Sequence, residues 1–110
     1  MKKNFFVVIL TFLSISASAN TYYAIKSGSW SNGTFSTSLG GSSCGCIPTV
    51  MDNVIIPSPY NVMVTSDFII GTGGAVGILN VELGGTLDLD KKNLVVNAGG
   101  VLNLYGSLKT

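Results

Sequence analysis

The chain has 110 residues, 46% of them hydrophobic, with 14 Gly, no His and a formal net charge of +1. All six Lys+Arg residues are lysines, so bidentate guanidinium recognition of phosphate or carboxylate is absent, and no basic patch marks a nucleic-acid partner. Without His, the commonest general base and the Ser-His-Asp and Cys-His arrangements are excluded.

Residues 1–19 read as a secretory signal peptide. Lys2 and Lys3 form a positive n-region, Phe5 to Ile15 is an apolar run broken only by Thr11 and Ser14, and Ala17-Ser18-Ala19 is an A-x-A cleavage site. The run is shorter than the roughly 18 apolar residues that a spanning helix needs. No Cys follows the cleavage site, which disfavours a lipid anchor. Cleavage would leave a chain starting at Asn20, with no membrane span, exported to the medium or the cell surface. Its Lys26, Lys91, Lys92 and Lys109 face Asp52, Asp67, Glu82, Asp88 and Asp90, a net charge of 4 − 5 = −1.

The mature chain divides into a cap and Ser/Gly-rich loop at 20–49 and strand-forming sequence at 50–110. Tyr22-Tyr23-Ala24-Ile25 is a first strand. Ser27 to Thr49 has only Trp30 and Phe35 as large anchors, a composition for a long loop. Asn53 to Ile56 is a strand ended by Pro57-Ser58-Pro59. Strands then follow at Asn61–Thr65, Phe68–Ile70, Ile78–Val81, Thr86–Leu89, Asn93–Val96, Val101–Leu104 and Ser107-Leu108, with Gly71-Thr72-Gly73-Gly74 as a corner. That corner precedes no helix, so it is not a phosphate loop. Gly or Pro interrupts nearly every window, and no long helix is predicted.

The segment Leu79-Asn80-Val81-Glu82-Leu83-Gly84-Gly85-Thr86-Leu87-Asp88-Leu89 recurs fifteen residues later as Leu94-Val95-Val96-Asn97-Ala98-Gly99-Gly100-Val101-Leu102-Asn103-Leu104. Alternation around a Gly-Gly corner predicts an all-β fold, a right-handed parallel β-helix (β-solenoid) with an N-terminal cap. Coils of fifteen residues would stack Leu87 on Leu102. Coils of roughly twenty-two, the preferred reading, would bring Leu79 to Leu102 or its neighbour. The predicted inward residues are Val81, Leu87, Leu89, Leu94, Val96, Leu102 and Leu104. The chain ends within a strand-like stretch, so the coils are expected to be incomplete there and to continue in further coils or stack on another chain.

Gly28-Ser29-Trp30-Ser31-Asn32-Gly33-Thr34-Phe35, Cys44-Gly45-Cys46-Ile47-Pro48, Asp52-Asn53-Val54-Ile55-Ile56-Pro57 and Val62-Met63-Val64 resemble, in that order, the start of large secreted proteins of Bacteroidetes-type bacteria. The chain is similar to adhesin-like surface proteins with an eight-glycine β-domain. The resemblance implies a parallel β-helix written G-G-T-L-x-L, carried in multidomain chains exported by the type IX route. Phe35 stands where the family often has a second Trp, and no C-terminal sorting domain is present.

Four constellations bear on chemistry. Cys44-Gly45-Cys46, in an oxidising setting, is expected to form a disulfide that clips the loop; a redox pair, a metal pair and two free thiols are the alternatives. No second Cys pair or His completes a zinc site, so no metal or other cofactor is expected. Asp88 and Asp90, two apart, suit a paired-carboxylate or Ca²⁺ site, but the favoured reading is an outward solvated face, with Lys91 and Lys92 beside it. Asp52-Asn53 reads as turn chemistry, and so does the sequon Asn32-Gly33-Thr34, whose Asn-Gly favours positive φ. Trp30, with Tyr22 and Tyr23, is either a glycan-stacking platform or, the favoured reading, a plug with Phe35 over the end of the core. The leading expectation is therefore an exported non-catalytic structural or adhesive module, not an enzyme, whose partners are surface glycans or further solenoid coils. The alternatives are an N-terminal fragment of a β-helix polysaccharide-degrading enzyme, and a carbohydrate-binding module.

Overall fold

Strands form where β-branched and leucine residues alternate with polar ones, and they stop at glycine or proline. A computed structural model describes residues 20–110; the signal-peptide reading of residues 1–19 lies outside the described residues. Eleven strands follow in chain order. They are β1 (Thr21–Ala24), β2 (Gly28–Ser29), β3 (Phe35–Ser36), β4 (Asn53–Ile56), β5 (Asn61–Met63), β6 (Phe68–Ile70), β7 (Ile78–Val81), β8 (Thr86–Asp88), β9 (Leu94–Val96), β10 (Val101–Leu104) and β11 (Ser107–Lys109). No helix occurs among the described residues. β4 ends at Ile56, one residue before Pro57.

The expectation of a right-handed parallel β-helix is not met. The strands fall into three separate sheets, ordered β10-β7-β4-β1-β3, β11-β8-β5-β2 and β6-β9. No strand exceeds four residues. The largest sheet is mixed, because β3 runs antiparallel to β1 with Tyr23 opposite Ser36 and Ala24 opposite Phe35. The third sheet has two strands only, so the sides are not continued evenly from layer to layer. The cause lies in residues 27–49. This Ser/Gly-rich stretch lacks an alternating apolar run and is spent on β2, on β3 folding back against β1, and on a surface loop. The described residues form a small, compact unit of short sheets, about 40% strand and without helix. β1 and β2 extend the same sheets as β4 and β5, so the sheets run across the 49/50 position.

Parallel, in-register pairing aligns apolar residues into columns. Val54 pairs with Leu79, and Leu79 with Leu102. Ile56, Val81 and Leu104 form a second column. Val62, Leu87 and Leu108 form a third. In the small sheet Phe68 meets Leu94 and Ile70 meets Val96. The pairing of Asn80 with Asn103 spans 23 residues, so the fifteen-residue echo does not mark stacked neighbours. It relates the corner between β7 and β8 to the corner between β9 and β10.

The second glycine of each corner lies against a carbonyl from an earlier strand. A Cβ at Gly85 would collide with the Ile56 carbonyl oxygen, and one at Gly100 with that of Ile70. The glycines before them, Gly84 and Gly99, have φ of 89° and 79°, the left-handed region that glycine tolerates. The corner sequence thus sets both the bend and the closeness of the layers.

Val54, Ile56, Val62, Ile70, Leu79, Val81 and Leu87 are fully buried, and Leu89 is 4% exposed. Leu94 and Leu102 are partly buried against this core. Val96 and Leu104, expected inward, are 47% and 41% exposed. They stack on buried Ile70 and Val81, but β9 and β10 are outer strands of their sheets, and among the described residues no further strand pairs beyond them. Leu87→Asp places a carboxylate in the middle of a column, a change costing about 3–5 kcal/mol or more. The variant is expected to lose its cooperative thermal transition in circular dichroism; an unchanged melting temperature would contradict the column.

Candidate functional site

Two regions hold the candidate residues: the aromatic end of the core and the Cys44–Cys46 loop. In β1, alternation sends Tyr22 to the side of Ala24 and Tyr23 to the opposite face. Tyr22 packs against the core. Trp30 follows β2 and is only 9% exposed. Its ring meets Phe35 edge-on, at 4.8 Å between centroids, and Phe68 at 4.7 Å, both with interplanar angles of 65°. Such edge-to-face pairs stabilise beyond the area they bury. A platform made of Trp30, Tyr22 and Tyr23 is therefore not assembled: the indole is inside, and the two tyrosines face opposite ways. The Trp30 Nε1–H has no hydrogen-bond partner among the described residues, an uncompensated donor in the core.

Cys44 and Cys46 are bonded to each other, with Cα atoms 5.2 Å apart. Gly45 between them has φ of 66°. Cys44 is exposed and Cys46 half-buried. The loop is held by other bonds as well. The Cys44 amide donates to the Phe35 carbonyl at 3.0 Å, and the Ser43 hydroxyl donates to the Asn32 carbonyl at 3.3 Å while accepting from the Gly45 amide at 3.2 Å. The neighbouring Pro48 is buried. Asn32-Gly33 does form a turn, closed by the Thr34 amide on the Ser31 carbonyl at 3.2 Å, but neither residue has positive φ.

The carboxylates serve the backbone. Asp88, expected on a solvated face, is 9% exposed. It accepts the Asp90 amide at 2.9 Å and lies 3.7 Å from Lys109 Nζ on the adjoining strand. Its strand explains the burial, since Asp88 lies between Met63 of β5 and Lys109 of β11, and Asp90 and Lys91 beyond it turn the chain with φ of 46° and 67°. Asp90 stays outside, 3.6 Å from Lys92 Nζ. Asp67 accepts the Asn93 amide at 3.0 Å. Asp52 is 5% exposed and accepts both the amide and the hydroxyl of Thr49, at 2.8 and 3.0 Å, as its turn role predicts. Sequence reasoning missed one bond: the Asn20 amide donates to Asp52 Oδ1 at 3.2 Å, across 32 residues. No local pattern signals a contact of that separation. Among the described residues, no group of three or more Cys, Asp or Glu side chains converges on a common point.

A shallow open groove of about 160 Å³ is lined by Val50, Met51, Gly71, Thr72, Ala98 and Gly99. It lies below the roughly 300 Å³ from which small-molecule pockets start, and no charged side chain lines it. Thr72 and Asn97 bond within the rim, Thr72 Oγ1 to the Ala98 carbonyl and Asn97 Nδ2 to the Thr72 carbonyl, each at 2.9 Å.

Comparison with protein-family models, with curated proteins and with solved structures finds no match to this chain.

Two outcomes follow from this geometry. Trp30→Phe keeps a ring between Phe35 and Phe68 and removes the unpaired donor, so it is expected to lie within about 1.5 kcal/mol of the parent; Trp30→Ala opens a cavity costing about 3–5 kcal/mol. Urea titration of both variants measures the difference, and equal losses would contradict the plug. The disulfide closes a ring of three residues, too short to remove much chain entropy. Replacing both cysteines with serine should therefore lower stability by only about 1 kcal/mol, or roughly 4–8 °C in Tm. Loss of folding in the double variant would make the clip essential.

Proposed function

We propose that this chain is an exported, non-catalytic structural or adhesive module, and that it works by presenting open strand edges to further β-structure. One observation carries the reading. Two buried apolar columns finish in exposed members, Val96 over Ile70 and Leu104 over Val81, at 47% and 41% exposed, and Val95, Val101 and Tyr105 on or beside the same strands are 43%, 43% and 68% exposed. These residues lie on or beside β9 and β10, each the outer strand of its sheet, and β11 closes the other sheet on the same side of β8.

An outer strand offers unpaired backbone groups, which template the addition of another strand. Apolar side chains clustered on such strands add burial to the backbone pairing. The matching occupant is an extended segment with the same alternation of Leu or Val with Asn or Thr. Its polar register is represented within the chain, where Asn103 Nδ2 donates to Asn80 Oδ1 at 2.8 Å from one strand to the next. The signal-like leader and the likeness of residues 28–64 to secreted surface proteins support export. A glycan-stacking role for Trp30 draws no support from its burial between Phe35 and Phe68.

Sedimentation velocity over a range of concentrations tests the edge. The processed chain is expected to associate, and the double variant Val96→Lys, Leu104→Lys to remain monomeric with a melting temperature within a few degrees of the parent, since both side chains are already partly in water. Association unaffected by the two lysines would refute the edge as the contact, and a parent that is monomeric throughout would refute the module's self-complementary edge.

A further inference from the structure

We infer that Asp52 is the receptor for the α-ammonium group created when the leader is cut off before Asn20, so that proteolytic processing locks the start of the first strand. Three observations meet at this point. Asp52 is 5% exposed, and a carboxylate so buried is ordinarily paired with a cation. No lysine among the described residues pairs with it: the ion pairs found there join Lys92 to Asp90 and Lys109 to Asp88. The main-chain nitrogen of Asn20 does reach it, 3.2 Å from Oδ1, while Oδ2 is occupied by Thr49.

In the uncut chain that nitrogen is a neutral amide with one proton to donate. Hydrolysis of the Ala19–Asn20 bond by a leader peptidase consumes one water, breaks the C–N bond, and leaves a carboxylate on Ala19 and an amine on Asn20. Around neutral pH the amine is largely protonated. The same atom then carries a positive charge and three protons, opposite a buried carboxylate that no lysine among the described residues pairs with. Charge-assisted hydrogen bonds are shorter and stronger than the neutral bond they replace.

The surroundings are built to hold the nitrogen there. The Asn20 carbonyl accepts from the Asn53 amide at 2.8 Å, so residue 20 is tied to the Asp52–Asn53 segment at both its nitrogen and its oxygen. The Asp52 carbonyl in turn accepts the amides of Gly77 and Ile78, at 2.9 and 3.2 Å. The new charge would therefore tie β1 to β4 and to the start of β7. Asn20 itself is exposed. This inference rests on the export reading, because only removal of the leader produces the amine.

The two readings are tested separately. N-terminal sequencing of the secreted protein tests the processing, and a start at any residue other than Asn20 overturns the inference. For the lock, the chain beginning with a free Asn20 amine is compared with the same chain Nα-acetylated, each with Asp52 and with Asp52→Asn. Acetylation is expected to lower Tm by about 5 °C when Asp52 is present and to leave it unchanged in Asp52→Asn. Equal melting of the free and acetylated Asp52 chains overturns the lock even if processing is at Asn20. Should Asp52→Asn fail to fold, the acylation rate of the native chain's amine decides. A rate about tenfold below that of an unstructured peptide amine supports the pair, the factor corresponding to one pKa unit; an equal rate overturns it.

Discussion

The constraint on which the rest of the structure depends is in-register stacking of short strands at corners that only glycine can make. Each corner brings a carbonyl of an earlier strand against the α-carbon of the second glycine, as Ile56 meets Gly85 and Ile70 meets Gly100. With the corners held so closely, the strands between them have one register, and like residues fall into line. The columns of Val54, Leu79 and Leu102 and of Val62, Leu87 and Leu108 are the result. Because a two-residue alternation puts every second side chain inward, a slip of one residue would turn each column out to water.

The same arrangement explains why stability is distributed unevenly. Central members of the columns are fully buried, whereas the last members sit on outer strands, with Leu102 and Leu108 partly buried and Val96 and Leu104 nearly half exposed. At the opposite end the core is closed by aromatic packing, with Trp30 held between Phe35 and Phe68. Polar groups inside the molecule find partners in most places: Asp88 in the following turn, Asp52 in Thr49 and Asn20, Asn80 in Asn103. The indole N–H of Trp30 is the exception, and it sits where the ring is needed for its bulk. Aromatic rings therefore close the core at one end, while half-exposed apolar residues lie on the outer strands β9 and β10.

Much of the strand pattern was legible because the periodicity is strong. Asn53–Ile56, Phe68–Ile70, Ile78–Val81 and Val101–Leu104 have the same bounds in sequence and structure. β2 and β3 were not legible. Two-residue strands in a Ser/Gly-rich stretch carry no alternation to read, and they exist only because β5 and β1 lie beside them. The antiparallel return of β3 is what makes the largest sheet mixed, and it was hidden for the same reason. Among the candidate residues, the turn role of Asp52 followed from its short side chain and its place before a strand. The burial of Asp88 did not, since it depends on the path of the chain after Leu89 and on Lys109 of a later strand.

The sequence by itself determined where the strongly alternating segments extend, that glycine and proline break them, and that Cys44 and Cys46 share a loop. These are local properties, governed by side-chain alternation, by glycine and proline, and by the reach of a three-residue ring. The tertiary structure alone decided that Leu79 lies beside Leu102, that Trp30 faces inward while Val96 and Leu104 face water, and that the nitrogen of Asn20 meets Asp52. Each of these joins residues far apart in the chain. Local preference does not distinguish a fifteen-residue repeat from a 23-residue stacking distance; that choice is made by the corner carbonyls and the columns packing together.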